Sequence, residues 1–465
     1  MGGLFGVVSK ESCVTDLYFG TDYHSHLGTR RGGLALLTAD GISRKIHDIT
    51  NAQFRSKFHD DLSDMRGSMG IGVISDYEDQ PLIIGSHLGN YAIVTVGVVH
   101  NTETLAKKAF RKKTHFSEMS GGEINPTELV ATFINQQPTF EQGIRYAQEL
   151  IEGSCSLLLL TEQGIYAARD LLGRTPVVIG KKDGAIAAAM ETSSFPNLGF
   201  ETHSYLGPGE IVCISPEGAE QKAAPLDTMK ICSFLWVYYG YPSSHYENIN
   251  VEIVRNRCGA LLAENDNVEV DYVSGIPDSG TGHGIGYANR AGIPYVRPFV
   301  KYTPTWPRSF MPQDQSIRDL VANMKLIPIK ELLERKRVLF CEDSIVRGTQ
   351  MKDTVSRLFK CGAREVHMRP ACPPLVYGCK FLNFSRSRSE LDLAARRAIC
   401  TLEGEDPENF EKYCDPDSDE YNRMVDIICR DRGFTTLKYQ RLPDLVQAIG
   451  MDREKLCTYC WNGTE

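Results

Sequence analysis

The sequence predicts an α+β half in which strands alternate with turns, followed by an α/β half built on a parallel sheet and closed by C-terminal helices. Length is the first observation, since 465 residues are too many for one core and enough for two. The second is the short spacing of apolar runs before about residues 225–235, as in Ser154 to Leu160 and Ile165 to Asp170 around a turn at Gln163-Gly164. The third is the later alternation of helical stretches, such as Val251 to Glu264 and Met351 to Lys360, with apolar strands. The segment from Gly404 to Asp419 is acidic and loop-like, and Tyr421 to Arg432 and Leu442 to Gly450 read as closing helices.

Composition narrows the function classes. Hydrophobic residues at 42% and charged residues at 24% describe an ordinary globular protein without low-complexity tracts or internal repeats. A formal net charge of −8 argues against nucleic acid as a partner. The basic clusters Lys107-Lys108, Arg111-Lys112-Lys113 and Arg386, Arg388, Arg396-Arg397 have acidic neighbours and read as solvated faces. No apolar stretch is long enough to span a bilayer and no secretory leader is recognisable, so the expectation is a cytoplasmic protein with no membrane partner. Its 14 cysteines are then expected as core filler, metal ligands or catalysts rather than disulfides.

The most informative segment runs from Arg337 to Thr349. Val338 to Cys341 suits a buried parallel strand, and the loop after such a strand lies at the carboxyl edge of the sheet, where α/β proteins bind ligands. Backbone N–H groups and hydroxyls of Ser344, Arg347, Gly348 and Thr349 can surround a phosphate at a helix start near Gln350. Glu342 and Asp343 cannot face that phosphate and are placed to accept hydrogen bonds from ribose hydroxyls. The pattern reads as a site for a phosphorylated ribose.

The string resembles the signature of type I phosphoribosyltransferases, and Asp343-Ser344-Ile345-Val346-Arg347-Gly348-Thr349 looks like the glutamine phosphoribosylpyrophosphate amidotransferase family. That family has Asp-Asp where this chain has Glu342-Asp343. Val273 to Gly280, with Asp278 and Ser279, resembles the family's pyrophosphate loop. Lys301-Tyr302 and Arg308-Ser309-Phe310 resemble the ends of the loop that closes over substrate, and Lys301 and Arg308 are the implied catalytic cations. Arg318, Met324-Lys325-Leu326 and Pro373-Pro374 match further family positions. The implied fold is an N-terminal-nucleophile-hydrolase-like αββα sandwich over residues 1–230, supported by Gly173 to Pro176 and Glu191 to Ser194, then a phosphoribosyltransferase domain over 231–465.

Cys457-Thr458-Tyr459-Cys460 is by itself a zinc half-site, a redox pair or neither. The resemblance implies a 4Fe-4S cluster on Cys232, Cys379, Cys457 and Cys460, although four thiolates equally suit structural zinc on chemical grounds. Cys13, Cys155, Cys341 and Cys372 have no such context.

The N-terminus departs from the family. Relatives with glutaminase activity expose an N-terminal Cys in Cys-Gly-Ile-Phe-Gly, whereas this chain has Met1-Gly2-Gly3-Leu4-Phe5-Gly6, so Gly2 stands at the nucleophile's position. Cys13 is too far along the chain to sit beside a free α-amine. Leu27 replaces an arginine, Ser75 to Asp79 lacks the carboxylate-binding arginine, Thr102 after Asn101 replaces the oxyanion glycine, and Pro126 replaces an aspartate. The expectation is a silent glutaminase domain. The resemblance then implies ammonia-dependent transfer to phosphoribosylpyrophosphate with Mg²⁺ near Glu342 and Asp343, in purine biosynthesis. Ammonia would come from solution or from a separate glutaminase partner, with purine nucleotide inhibitors and a homodimer or homotetramer also implied. The alternatives are a non-catalytic sensor of phosphoribosylpyrophosphate or nucleotides, another nitrogen nucleophile, or an unrecognised glutaminase nucleophile.

Overall fold

The computed structural model describes residues 2–117, 119–120, 123–301, 326–382 and 390–464. Its first half is two antiparallel sheets. One has seven strands in the order Glu201–Tyr205, Val178–Lys182, Ala185–Ala189, Gly3–Ser9, Met69–Ser75, Arg31–Thr38 and Gly41–Asp48. The other has six: Gly218–Ala223, Ile211–Ser215, Ile165–Ala168, Gly153–Leu160, Gly89–Val99 and Leu82–Ser86.

Side-chain alternation along the strands builds the layers. Leu4 and Val8 of the first strand join Ile71, Val94, Leu158 and Ala167 between the sheets. Phe5 and Val7 face the other way, onto the helix Val14–Asp22 and Phe54. The outer face of the six-stranded sheet packs on the helices Thr102–Arg111, Pro126–Ile134 and Phe140–Leu150. The result is helix, sheet, sheet, helix, as expected.

The second half is a parallel sheet, ordered Tyr272–Gly275, Arg337–Glu342, Glu365–Pro370 and Thr436–Leu437. Its strand Arg337–Glu342 is apolar on both faces. Val338 and Phe340 meet Val355, Leu358 and Met424 on one side, while Leu339 and Cys341 meet Val254, Cys258 and Tyr287 on the other. Helices cover both faces, which is what a parallel sheet requires. The expected helices are present as Val251–Glu264, Thr349–Lys360, Asp419–Arg432 and Leu442–Ile449. Among the described residues no helix is long and apolar enough to cross a membrane.

Two expectations need correction. The strand from Ile165 ends at Ala168, because the buried Arg169 and Asp170 turn to hydrogen-bond the Gly173–Thr175 turn. Arg396 is not solvated: it is 6% exposed, paired with Asp406 and Glu390, and stacked on Phe410 at 3.9 Å. Arg386 and Arg388 lie outside the described residues.

Candidate active site

The strand Arg337–Glu342 delivers Glu342 to the carboxyl edge of the sheet, with Asp343 immediately after it. Both carboxylates are buried, at 6% exposure each. The turn after Tyr272–Gly275 packs directly against them: Ile276 N–H donates to Cys341 O at 2.9 Å and Ser279 Oγ donates to Glu342 Oε1 at 2.7 Å. Ser344 Oγ donates to Asp343 Oδ1. Burial and the Asp343 charge push the Glu342 carboxyl well above the usual carboxylate range, and burial pushes Asp343 up as well, so the pair resists double ionisation. Arg255, buried and bonded to the carbonyls of Trp236, Tyr238 and Gly240, is the cation whose field partly offsets this at Asp343.

The loop Ser344 to Gly348 is anchored by Ile345, 2% exposed, and by Val346, whose carbonyl accepts from Ala394 N–H at 2.8 Å. These two side chains serve packing, while Arg347 is exposed. Gly348 adopts φ +65° as N-cap of the helix Thr349–Lys360, a left-handed turn that suits glycine. The first N–H groups of that helix have no intrahelical partners, and the helix dipole favours negative charge at that end. Lys301 ends the strand Phe299–Lys301, which pairs with Leu326–Pro328, and its Nζ is ion-paired with Asp278 of the 276–280 turn. The structure therefore brings Asp278, Ser279, Lys301, Glu342, Asp343 and the 344–348 loop together. Arg308, Tyr302, Arg318 and Lys325 lie outside the described residues, as does the side chain of Thr349.

Cys232, Cys379, Cys457 and Cys460 line one cavity, with Arg174, Phe234, Phe381 and Trp461. The chain crosses itself here, because Ile231–Cys232 pairs in parallel with Leu456–Cys457. No disulfide joins any of the 14 cysteines. Among the described residues no group of three or more His, Cys, Asp or Glu is arranged to hold one metal ion. The donor set is nonetheless all thiol, and Arg174 brings a cation into it: Nη1 donates to Cys457 Sγ at 3.1 Å, and the guanidinium lies 3.4 Å from the Phe381 ring centre. Arg174 is 2% exposed and its Nε has no hydrogen-bond partner among the described residues. A buried cation so placed fits a group of net negative charge, which four thiolates around iron and sulfide would be.

At the amino end the expected pocket residues are occupied with packing. Gly2 is buried, and a Cβ built there would lie 2.4 Å from Ile74 O. Leu27, 4% exposed, belongs to the core between the sheets. Asn101 spans to the end of the helix Phe140–Leu150 and the turn after it, donating to Leu150 O at 2.8 Å and accepting from Glu152 N–H at 3.1 Å. Thr102 Oγ1 donates to Val99 O at 2.7 Å, and Pro126 opens the helix Pro126–Ile134 behind the N-cap Asn125. Cys13 is buried, its thiol pushed up to about 12 by burial and the Asp16 charge.

Residues 66–197 match the glutamine amidotransferase domain model. The amidophosphoribosyltransferase of Vigna aconitifolia chloroplasts is 33% identical over 341 residues, covering 71% of this chain and 69% of that protein. The chain belongs to the amidophosphoribosyltransferase family. Two solved structures share its fold over nearly its whole length. The allosteric regulatory enzyme of purine biosynthesis superimposes with TM-score 0.86 at 26% identity, covering 99% of this chain and 95% of that one. The glutamine phosphoribosylpyrophosphate amidotransferase of Bacillus subtilis, in complex with ADP and GMP, gives 0.82 at 26% identity, covering 99% and 96%. The amidophosphoribosyltransferase fold thus accounts for both the sandwich and the parallel sheet.

Sequence reasoning missed three buried charged groups. Arg255 bonds the carbonyls of Trp236, Tyr238 and Gly240 and acts on Asp343 through its charge, and Arg174 enters the cysteine cavity from the first half of the chain. Glu191, 1% exposed, binds His26 and Ser193 of the first half and Ser244 and Tyr246 of the second. No local motif marks Arg255, and the landmarks Gly173 to Pro176 and Glu191 to Ser194 that hold Arg174 and Glu191 give no sign of these partners.

Proposed function

We propose that this amidophosphoribosyltransferase-family chain transfers ammonia nitrogen to phosphoribosylpyrophosphate, giving phosphoribosylamine and pyrophosphate, for purine synthesis. The observation carrying the reading is the contrast between its two sites. The acid pair, pyrophosphate turn and phosphate loop converge at one sheet edge, while position 2 has neither a side chain nor room for one.

In this mechanism the C1–O bond to the diphosphate breaks and the diphosphate leaves with its electron pair, the C1–N bond forms, and the proton lost by the attacking ammonia is taken up by the departing diphosphate. Glu342 and Asp343 accept from the ribose hydroxyls, exchanging their bonds to Ser279 and Ser344. The 344–349 loop and the helix behind it hold the 5-phosphate, so the sugar is fixed before C1 becomes cationic. Lys301 would exchange Asp278 for the departing diphosphate. Arg308 is proposed as its companion cation. Magnesium, near Glu342 and Asp343, would supply charge neutralisation for the leaving group.

The domain division is proposed at 230/231. The four lining cysteines are proposed to hold a 4Fe-4S cluster of structural role, with Arg174 offsetting its charge. Purine nucleotides of the kind bound to the Bacillus relative are the proposed inhibitors. The test is pyrophosphate release by anaerobically purified protein with phosphoribosylpyrophosphate and Mg²⁺. Release with ammonium chloride but not glutamine is expected. Release with glutamine would overturn the account of Gly2, and release with neither would favour a sensor.

A further inference from the structure

Two arginines from the C-terminal helices converge beneath the phosphate loop. Arg432, the last residue of the helix Asp419–Arg432, donates through Nη2 to Arg347 O at 3.1 Å. Arg397, on the helix Ala394–Glu403, donates to the same carbonyl, and its Nη1 bonds Asp392 O at 2.8 Å. The contact is intimate: a Cβ built on Gly348 would lie 2.7 Å from Arg432 Nε. Position 348 is therefore closed to side chains by the arginine as well as by its φ of +65°.

The charge of Arg432 is poorly compensated. The side chain is 7% exposed, and its Nε has no hydrogen-bond partner among the described residues. Its carboxylate neighbour is Asp431 at 3.9 Å, which is 62% exposed, whereas Arg397 presents a like charge. Burial and that like charge both weaken the hold of Arg432 on its proton. A buried guanidinium left this way favours an anion nearby. The anion position on the other side of the loop is the amino end of the 12-residue helix Thr349–Lys360, where backbone N–H groups and the helix dipole act in the same sense.

We propose that Arg432, seconded by Arg397, is a positioning residue for the 5-phosphate of the ribose substrate. It clamps the Arg347 carbonyl so that the loop N–H groups converge, and it places a buried positive charge behind them. It acts through the loop and does not touch the phosphate. The inference rests on the transferase reading, and it concerns one end of the substrate only, which makes it separable from that reading.

The experiment is calorimetric titration of the full-length protein with two probes, ribose 5-phosphate and Mg²⁺-pyrophosphate, for wild type, R432Q, R432K and R397Q. A hydrogen bond from a charged group is worth enough that R432Q should weaken ribose 5-phosphate by about tenfold or more. Pyrophosphate affinity should stay unchanged, because Asp278, Ser279 and Lys301 are untouched. R432K should recover part of the loss through charge alone, and R397Q, at a more exposed position, should show a smaller loss with the same selectivity. KM for phosphoribosylpyrophosphate should rise in R432Q with kcat less affected. Equal affinities in wild type and R432Q would overturn the proposal, and so would equal losses for both probes. A wild-type protein that binds neither probe would overturn the transferase reading itself.

Discussion

Replacing Glu191 by Gln tests whether a single buried carboxylate couples the two halves of the chain. Oε2 accepts from Ser244 Oγ at 3.1 Å and Ser193 Oγ at 3.4 Å and lies 3.1 Å from His26 Nε2; Oε1 accepts from the Tyr246 hydroxyl. Burial opposes ionisation there, yet the charge and hydrogen bond of His26, the His24 charge and the Tyr246 bond outweigh it and hold the carboxyl down to about 2. Against an ordinary value near 4.5, and at about 1.4 kcal/mol per tenfold change in proton affinity, the ionised form contributes about 3.4 kcal/mol at pH 7. A depressed carboxyl stabilises the fold above its unfolded-state pKa and loses that contribution as pH falls through its folded value. At pH 3.5 about 2 kcal/mol of it remains by the same arithmetic. Glu191→Gln should therefore lower the urea midpoint strongly at pH 7, and the gap to wild type should shrink by about 1.4 kcal/mol between pH 7 and pH 3.5. A gap that is constant over that range would show that the group's charge is not what matters and would refute the reasoning.

Gly2→Cys should not create glutaminase activity, because the new Cβ would meet Ile74 O at 2.4 Å; overpacking of this kind costs about 1–3 kcal/mol, visible as a lower denaturation midpoint, and glutamate released from glutamine would contradict it. Glu342→Gln should bind ribose 5-phosphate more weakly and yet unfold at a higher midpoint than wild type. Its raised carboxyl gives full stability only below the unfolded-state value and loses it as pH rises, so the midpoint gap should widen from pH 5 to pH 8, and a narrowing gap would reverse the sign argument. Arg174→Met should leave phosphoribosylpyrophosphate binding intact but shorten the lifetime of visible cluster absorbance in air, measured with iron and sulfide content; equal bleaching in both proteins would remove Arg174 from the account.

The strand Arg337–Glu342 and the acid pair after it were legible because they are local. An apolar run, two acids and a small-residue loop each have one structural consequence, and all lie within 13 residues of sequence. The αββα order and the cysteine quartet were legible only through family resemblance, since nothing in the spacing of Cys232, Cys379, Cys457 and Cys460 requires a common cavity. Arg396 was misread because its partners Asp406 and Phe410 fold back across a loop and bury it, whereas acidic residues nearby in sequence suggest only a solvated, charge-balanced face. Arg174 and Cys457 are 283 residues apart, and Arg347 and Arg432 are 85 apart. Contacts of that range leave no periodic signal. At Gly2 the sequence shows a missing thiol; only the packing shows that the space for one is gone as well.

These long-range contacts tie the sandwich to the second half whatever its own pocket does. Three buried charged side chains of the first half find partners in the second. Arg169, fully buried, pairs with Glu247 at 2.8 Å; Arg174 reaches Cys457; Glu191 takes hydrogen bonds from Ser244 and Tyr246. The same apolar cluster runs without a break from Leu4 and Val94 through Trp236 and Val251 to Leu339, directly beneath the acid pair. Removing one half would leave buried charges without partners, and each such charge is worth more than any exposed ion pair. The segment Leu235–Tyr239 shows the consequence for chemistry, because Arg255 holds its carbonyls while lending its charge to Asp343, and Trp236 in turn packs on Tyr246 against Glu191. Glu191 of the first half is thereby linked through Tyr246 and Trp236 to the residues packed behind Asp343, a packing role that depends on a buried charge and not on any nucleophile at position 2.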